Sequence, residues 1–122
     1  MKREILAITT DVSGNATVNG TRNILGLLYA ILYLPGTIAT GATIVVTSQG
    51  AIARPLLTKA NAGTSDTVFF PRDLVHAVAD GAALTGTAGG DRALPLIFGK
   101  LRVVVSSGGS GGIGSLIAIY GE

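Results

Sequence analysis

The sequence predicts a single all-β domain, a β-sandwich of jelly-roll-like form with about eight strands, and three observations carry that prediction. Short runs rich in Val, Ile, Leu, Thr and Tyr recur from end to end, the residue types that suit a pleated, half-buried surface. Clusters of Gly, Asn, Asp, Ser and Pro separate these runs roughly every 8 to 12 residues, the spacing of sandwiches and barrels. The 122 residues, 48% hydrophobic and only 13% charged, suffice for one buried core and leave no room for a second.

Residues 3–10 carry Ile5, Ala7 and Thr9 on one parity and Glu4, Leu6, Ile8 and Thr10 on the other, a strand apolar enough on both sides to make contacts on two faces. Asp11-Val12-Ser13-Gly14-Asn15 is a turn cluster, whose short polar side chains bond local backbone. The strand signal returns at 16–18, and Asn19-Gly20 reads as a tight turn of the hairpin type.

Residues 24–34 form the most apolar segment. In strand geometry Leu25, Leu27, Tyr29, Ile31 and Tyr33 face one way and Ile24, Gly26, Leu28, Ala30, Leu32 and Leu34 the other. Helix propensity alone would allow a helix here. Pro35-Gly36 and Gly41 sit at turn spacing, however, and the β-branched run 42–48 follows, so the two segments predict a broad hairpin. Gln49-Gly50 turns the chain into 51–58, where Pro55 removes a backbone donor and argues for an edge strand or a bulge.

A polar loop at 59–66 leads to a short strand at 67–70 that Pro71 stops. Residues 71–81 suit either a helical turn, with Pro71 at its first position and Gly81 as its C-terminal cap, or an extended segment. Residues 81–91 read as a glycine-rich surface loop. Strands follow at 94–98, 101–106 and 115–120, the last two predicted as a β-hairpin around a mobile, glycine-rich tip at 107–114.

Composition bears on function mainly by exclusion. The absence of cysteine removes disulfides, thiolate metal sites and cysteine nucleophiles. Nine basic residues and a formal charge of +2 are scattered singly, without the clustering on one face that nucleic-acid binding requires, so no nucleic-acid partner is expected. The start Met-Lys-Arg-Glu runs directly into a strand and lacks the long apolar block of a signal peptide. The stretch between Arg22 and Arg54 is uncharged, but its dense apolar part is about half the roughly 20 residues of a membrane-spanning helix. No membrane partner is expected either.

The motifs of common chemistries are incomplete. Gly109-x-Gly111-x-x-Gly114 matches the dinucleotide fingerprint in letters. That fingerprint works only where the last glycine opens a helix holding the pyrophosphate, and here only Ser115 to Glu122 follow, with Leu116, Ile117, Ile119 and Tyr120 as strand formers. His76 is the single histidine, flanked by Asp73 and Asp80. It cannot make a multi-histidine metal site, and no Gly-x-Ser-x-Gly elbow supplies a nucleophile for a triad. The acids Asp11, Asp66, Asp80 and Asp91 lie in turn signals, and no calcium-loop spacing occurs. The expectation is a protein without catalytic residues, metal or cofactor. Tyr29 and Tyr33, sharing a parity in 24–34, would form a thin stacking platform for sugar at most.

Three features together carry a family resemblance: the alternation of short apolar strands with Thr/Gly/Ala loops, the run Tyr33-Leu34-Pro35-Gly36-Thr37 leading through Ile44-Val45-Val46-Thr47, and the closing pattern Lys100-Leu101-Arg102-Val103-Val104-Val105, glycine-rich tip, Ile117-Ala118-Ile119-Tyr120. In texture and layout the chain resembles the small β-sandwich decoration, or cement, proteins of tailed-bacteriophage heads. The likeness covers most of the chain and includes no diagnostic binding motif. It implies a jelly-roll-like homo-oligomer, trimer or dimer, made in the host cytoplasm and bound to the capsid exterior, where it clamps copies of the major capsid protein. In that role Arg54, Arg72, Arg102, Lys2 and Arg3 are the expected interface residues, since isolated arginines make specific polar contacts. An N-terminal arm at 1–4 is a further expected contact point. A tail-fibre domain and a small carbohydrate-binding module are the alternatives on the same composition.

Overall fold

A computed structural model describes residues 1–74 and 92–121. The expected turn at 71–81 beyond Leu74, the loop at 81–91, His76, Asp80 and Asp91 lie outside these described residues. Among the described residues ten strands follow in chain order: β1 (Lys2–Thr9), β2 (Ala16–Asn19), β3 (Ile24–Leu34), β4 (Thr43–Gln49), β5 (Ala53–Lys59), β6 (Thr67–Phe69), β7 (Asp73–Leu74), β8 (Arg92–Ala93), β9 (Leu96–Ser106) and β10 (Ile113–Gly121). Among the described residues there is no helix. The protein is all-β, as its residue types predict, and folds as an antiparallel β-sandwich.

Eight strands share one hydrogen-bonded sheet in the order β1-β10-β3-β9-β4-β5, with β2 added to β9 and β6 to β3, while β7 and β8 pair separately. Every pairing is antiparallel. The sheet folds over on itself at β9. Residues 96–99 pair with β3 in the first layer, whereas 100–106 pair with β4 and 102–105 with β2 in the second. The two segments expected as separate strands at 94–98 and 101–106 are therefore one bent strand.

Gly99 makes the corner. Its φ is +103°, open to glycine at little cost, and a Cβ there would stand 2.7 Å from the Gly50 backbone. Just before the corner, buried Ser48 substitutes for the backbone ladder. Its Oγ accepts a hydrogen bond from the Phe98 N–H at 2.8 Å and donates one to the Phe98 carbonyl at 2.7 Å.

The core lies between the layers. Leu6, Ile8, Leu28, Ile31, Tyr33 and Leu116 from the first layer meet Ile44, Val46, Leu101, Val103 and Val105 from the second, all essentially inaccessible to water. Glu4, also buried, accepts a hydrogen bond from the Thr21 N–H at 3.1 Å. Lys2 to Glu4, expected as a projecting arm, instead open β1 and pair with Tyr120, Ile119 and Ala118.

Three expected hairpins are absent, and one physical reason covers them. Segments 16–18 and 24–34, 24–34 and 42–48, and 101–106 and 115–120 are neighbours in sequence but not in the sheet. Each pair is joined by a crossing between layers. Two consecutive strands with apolar inward faces bury both by packing across the sandwich, which a flat hairpin in one layer does not achieve. The β4–β5 hairpin does form, and Pro55 sits at its edge next to the register shift between Val46 and Thr47.

The glycine-rich segment, expected as a mobile hairpin tip, is one of these crossings and is tied down. Thr10 Oγ1 accepts from the Gly112 N–H at 2.7 Å and donates to the Gly109 carbonyl at 2.6 Å. The Gly108 N–H reaches the Gly14 carbonyl at 2.8 Å, and the Ala39 N–H reaches that of Gly108 at 2.9 Å. Three connections are thus knitted together at one end of the sandwich, where Gly108 and Gly112 are buried.

Candidate protein-binding face

Alternation along each strand decides what the outer surfaces carry. In the first layer, β1 buries Glu4, Leu6 and Ile8 and so turns Arg3, Ile5 and Ala7 outward. Register aligns Ile5 with Ile117, Ile117 with Leu32 and Leu32 with Val68, an apolar row across four strands. Nearer the corner, Leu25 lies opposite Phe98 and Leu27 opposite Leu96. These four are exposed, Leu25 at 62% and Phe98 at 48%. Direct cross-strand neighbours of this kind pack laterally but leave their tops in water.

The second layer is the opposite. Its outward row Thr17, Val104 and Val45 is followed by Asn19, Arg102 and Thr47, then by Lys100 beside Gln49. Hydroxyls, amides and cations dominate, as expected of a solvated sheet face. The sandwich has one apolar outer face and one polar one.

The apolar face has relief. Phe98 stands between two open grooves, one of about 340 Å³ lined by Asn23, Ile24, Leu25, Gln49, Gly50 and Gly99, the other of about 300 Å³ lined by Ala51, Ile52, Arg54 and Leu96. Ile52, at the β4–β5 turn, is 76% exposed. A ridge with flanking hollows is a shape that another protein surface can interlock with.

The five cations expected at an interface are divided by the fold. Arg54 lines the second groove. Arg72 lies beside exposed Phe70, its guanidinium carbon 6.0 Å from the ring centroid, and its Nη1 donates to the Tyr29 carbonyl at 3.2 Å. Arg3 points outward from β1, and Lys2 begins that strand. Arg102 is on the polar face, where its Nε donates to Asn19 Oδ1 at 2.7 Å. Arg3 and Arg54 therefore border the apolar face, Arg72 stands at the Tyr29 carbonyl between its Leu27 and Leu32 ends, and Arg102 belongs to the other face.

The tyrosine platform does not form. Between Ile119 and Tyr120 the β10–β3 register slips so that Ala30 and Leu28 are partnered and Tyr29 is the extra residue. This bulge inverts the parity of β3. Inward positions change from Ile24, Gly26 and Leu28 to Ile31 and Tyr33, and Tyr33 is wholly buried. Its hydroxyl has no hydrogen-bond partner among the described residues, and burial pushes its pKa above the ordinary 10.0.

Among the described residues, no group of three or more His, Asp or Glu side chains is placed to hold a metal ion, and no helix is long and apolar enough to cross a membrane. The residues that sequence reasoning did not single out are Leu25, Leu27, Ile52, Leu96 and Phe98. Their signal was present in the apolar character of both parities of 24–34. Nothing in the sequence, however, says that 96–98 would lie beside it. No family model matches the chain, and the comparisons with curated proteins and with solved structures found no match.

Proposed function

We propose that the protein is a non-catalytic structural component of a virion, a decoration protein that binds the outside of a tailed-phage head and stabilises contacts between major capsid protein subunits. The observation that supports this reading best is the apolar outer face on a sandwich whose other face is polar. A surface built from Leu25, Leu27, Leu96 and Phe98 around a ridge and two grooves has a use in covering another protein surface and none in solvation. A small rigid sandwich with knitted loops suits a clamp. A protein that binds only the assembled lattice stabilises it by its binding free energy at every site occupied.

The test is to mix the purified protein with expanded, DNA-free tailed-phage heads and pellet the heads. Co-sedimentation at high copy number, with symmetric density over the head by electron microscopy, is expected. Protein that stays in the supernatant, or that locates to the tail, overturns the reading. Saturable binding on a glycan array would replace it with the carbohydrate-binding alternative.

A further inference from the structure

We infer that β1 is a docking edge, where an extended segment of another protein adds as a further antiparallel strand with an acidic C-terminal end beside Lys2 and Arg3. The inference goes beyond the decoration reading and does not depend on it, since that reading uses the outer face of the layer and this one its edge.

The alternation of hydrogen bonds along the ladder leaves one side of β1 open. The Thr10 N–H donates to the Gly112 carbonyl at 2.8 Å, in the register that β1 and β10 keep throughout. Bonded pairs in an antiparallel ladder recur at every second residue. Ile8, Leu6 and Glu4 therefore turn their backbone groups toward β10, whereas Arg3, Ile5, Ala7 and Thr9 turn theirs away. β10 obeys the complementary rule, its Ile113 carbonyl accepting from the Thr37 N–H on the β3 side at 2.9 Å. Because β1 ends the sheet order, no strand among the described residues takes up the N–H and carbonyl groups of Arg3, Ile5, Ala7 and Thr9.

The other edges are blunted. β5 carries Pro55, which has no N–H, beside a register shift. β2 and β6 are only four and three residues long. β1 has eight residues in unbroken register, without proline or bulge. An edge of that length and regularity is a template for another chain.

Side chains define the segment that fits. On the outer face, a residue opposite Ile5 extends the row Ile5, Ile117, Leu32 and Val68 and is apolar. On the inner side, Ala16 and Val18 of β2, the strand that stands across from β1, pack on the core but are only partly buried. Apolar side chains of the added strand complete their cover. Lys2 and Arg3 are exposed where β1 begins, so an acid belongs there. Every pairing in the fold is antiparallel, and that polarity puts the C-terminal end of the added segment beside the two cations. A second copy of β1 brings no such acid. Its Glu4 is turned inward to the Thr21 N–H and stands 3.9 Å from the Arg22 Nε, and Asp11 accepts from the N–H groups of Ser13 and Asn15 in its own turn.

The experiment is amide hydrogen exchange by NMR on the full chain, alone and with two synthetic peptides of about eight residues. Both alternate Val and Thr; one ends in two Glu, the other in two Lys, and each is added up to about 1 mM. In the free chain the amides of Glu4, Leu6 and Ile8 should be protected and those of Arg3, Ile5, Ala7 and Thr9 should exchange freely. The Glu peptide should protect the second set, and the Lys peptide should bind about fivefold more weakly. Ala7→Pro removes one outward N–H and spares the ladder to β10, so it should keep the wild-type circular dichroism and bind the Glu peptide about tenfold more weakly. Arg3→Glu leaves the backbone alone and should reverse the preference between the peptides. Four results overturn the proposal: the second set already protected in the free chain, as a second copy on the edge would make it; no protection by the Glu peptide; equal binding of both peptides by the wild type; or a preference that Arg3→Glu leaves unchanged.

Discussion

At the scale of single residues, two buried polar side chains behave oppositely. Ser48 is satisfied twice by the Phe98 backbone at the fold's corner, so Ser48→Ala should strand a buried N–H and carbonyl and cost about 1–3 kcal/mol in urea denaturation. Tyr33 places in the core a hydroxyl with no partner among the described residues. Tyr33→Phe removes a group that gains nothing from burial, and a stability increase of about 1 kcal/mol is expected. A loss of stability would mean that the hydroxyl has a partner. Burial raises the Tyr33 pKa above 10.0 in the folded chain, so the unfolded chain releases this proton first. The contribution is intact below pH 10.0 and declines as pH rises toward the folded pKa. Tyr33→Phe should therefore flatten the alkaline limb of a stability–pH curve.

At the scale of elements, the bend in β9 and the knitted loops carry the architecture. Gly99→Ala meets both a positive φ and the Gly50 backbone at 2.7 Å. Conformational strain alone costs about 1–3 kcal/mol, and the contact adds to it, so a clear fall in melting temperature is expected. An unchanged melting point would show that the corner relaxes without cost. Thr10→Val keeps shape but breaks the hydrogen bonds to Gly109 and Gly112. It should expose the amides at 107–112 to hydrogen exchange faster than those of β3, because the three connections hold one another.

At the scale of the whole molecule, the apolar face is expected to matter for binding and not for folding. Leu25, Leu27 and Phe98 are exposed, so replacing all three with Thr should change the intrinsic stability by less than about 1 kcal/mol. The triple variant should keep the wild-type melting temperature and lose co-sedimentation with expanded phage heads. Calorimetry reads the first and head pelleting the second.

The sequence by itself determined the β class, most strand positions, the edge role of Pro55 and the turn at Gln49-Gly50, because each depends on residue type and on contacts within a few positions. Even the surplus of apolar side chains on both parities of β3 was legible there. Only the tertiary structure decided which strands pair. The segments around Asn19-Gly20, Pro35-Gly36 and the final glycine-rich run all have the local chemistry of turns, and that chemistry does not distinguish a hairpin from a crossing between layers. Burial of the inward faces makes that choice, since each strand finds its cover across the sandwich. The same global constraint bends β9 at Gly99 and brings Leu96 and Phe98 beside Leu25 and Leu27 across some seventy positions of chain. The bulge at Tyr29 then turns Tyr33 inward. The candidate face is thus a product of strand pairing, which is non-local and leaves no mark in the order of the residues.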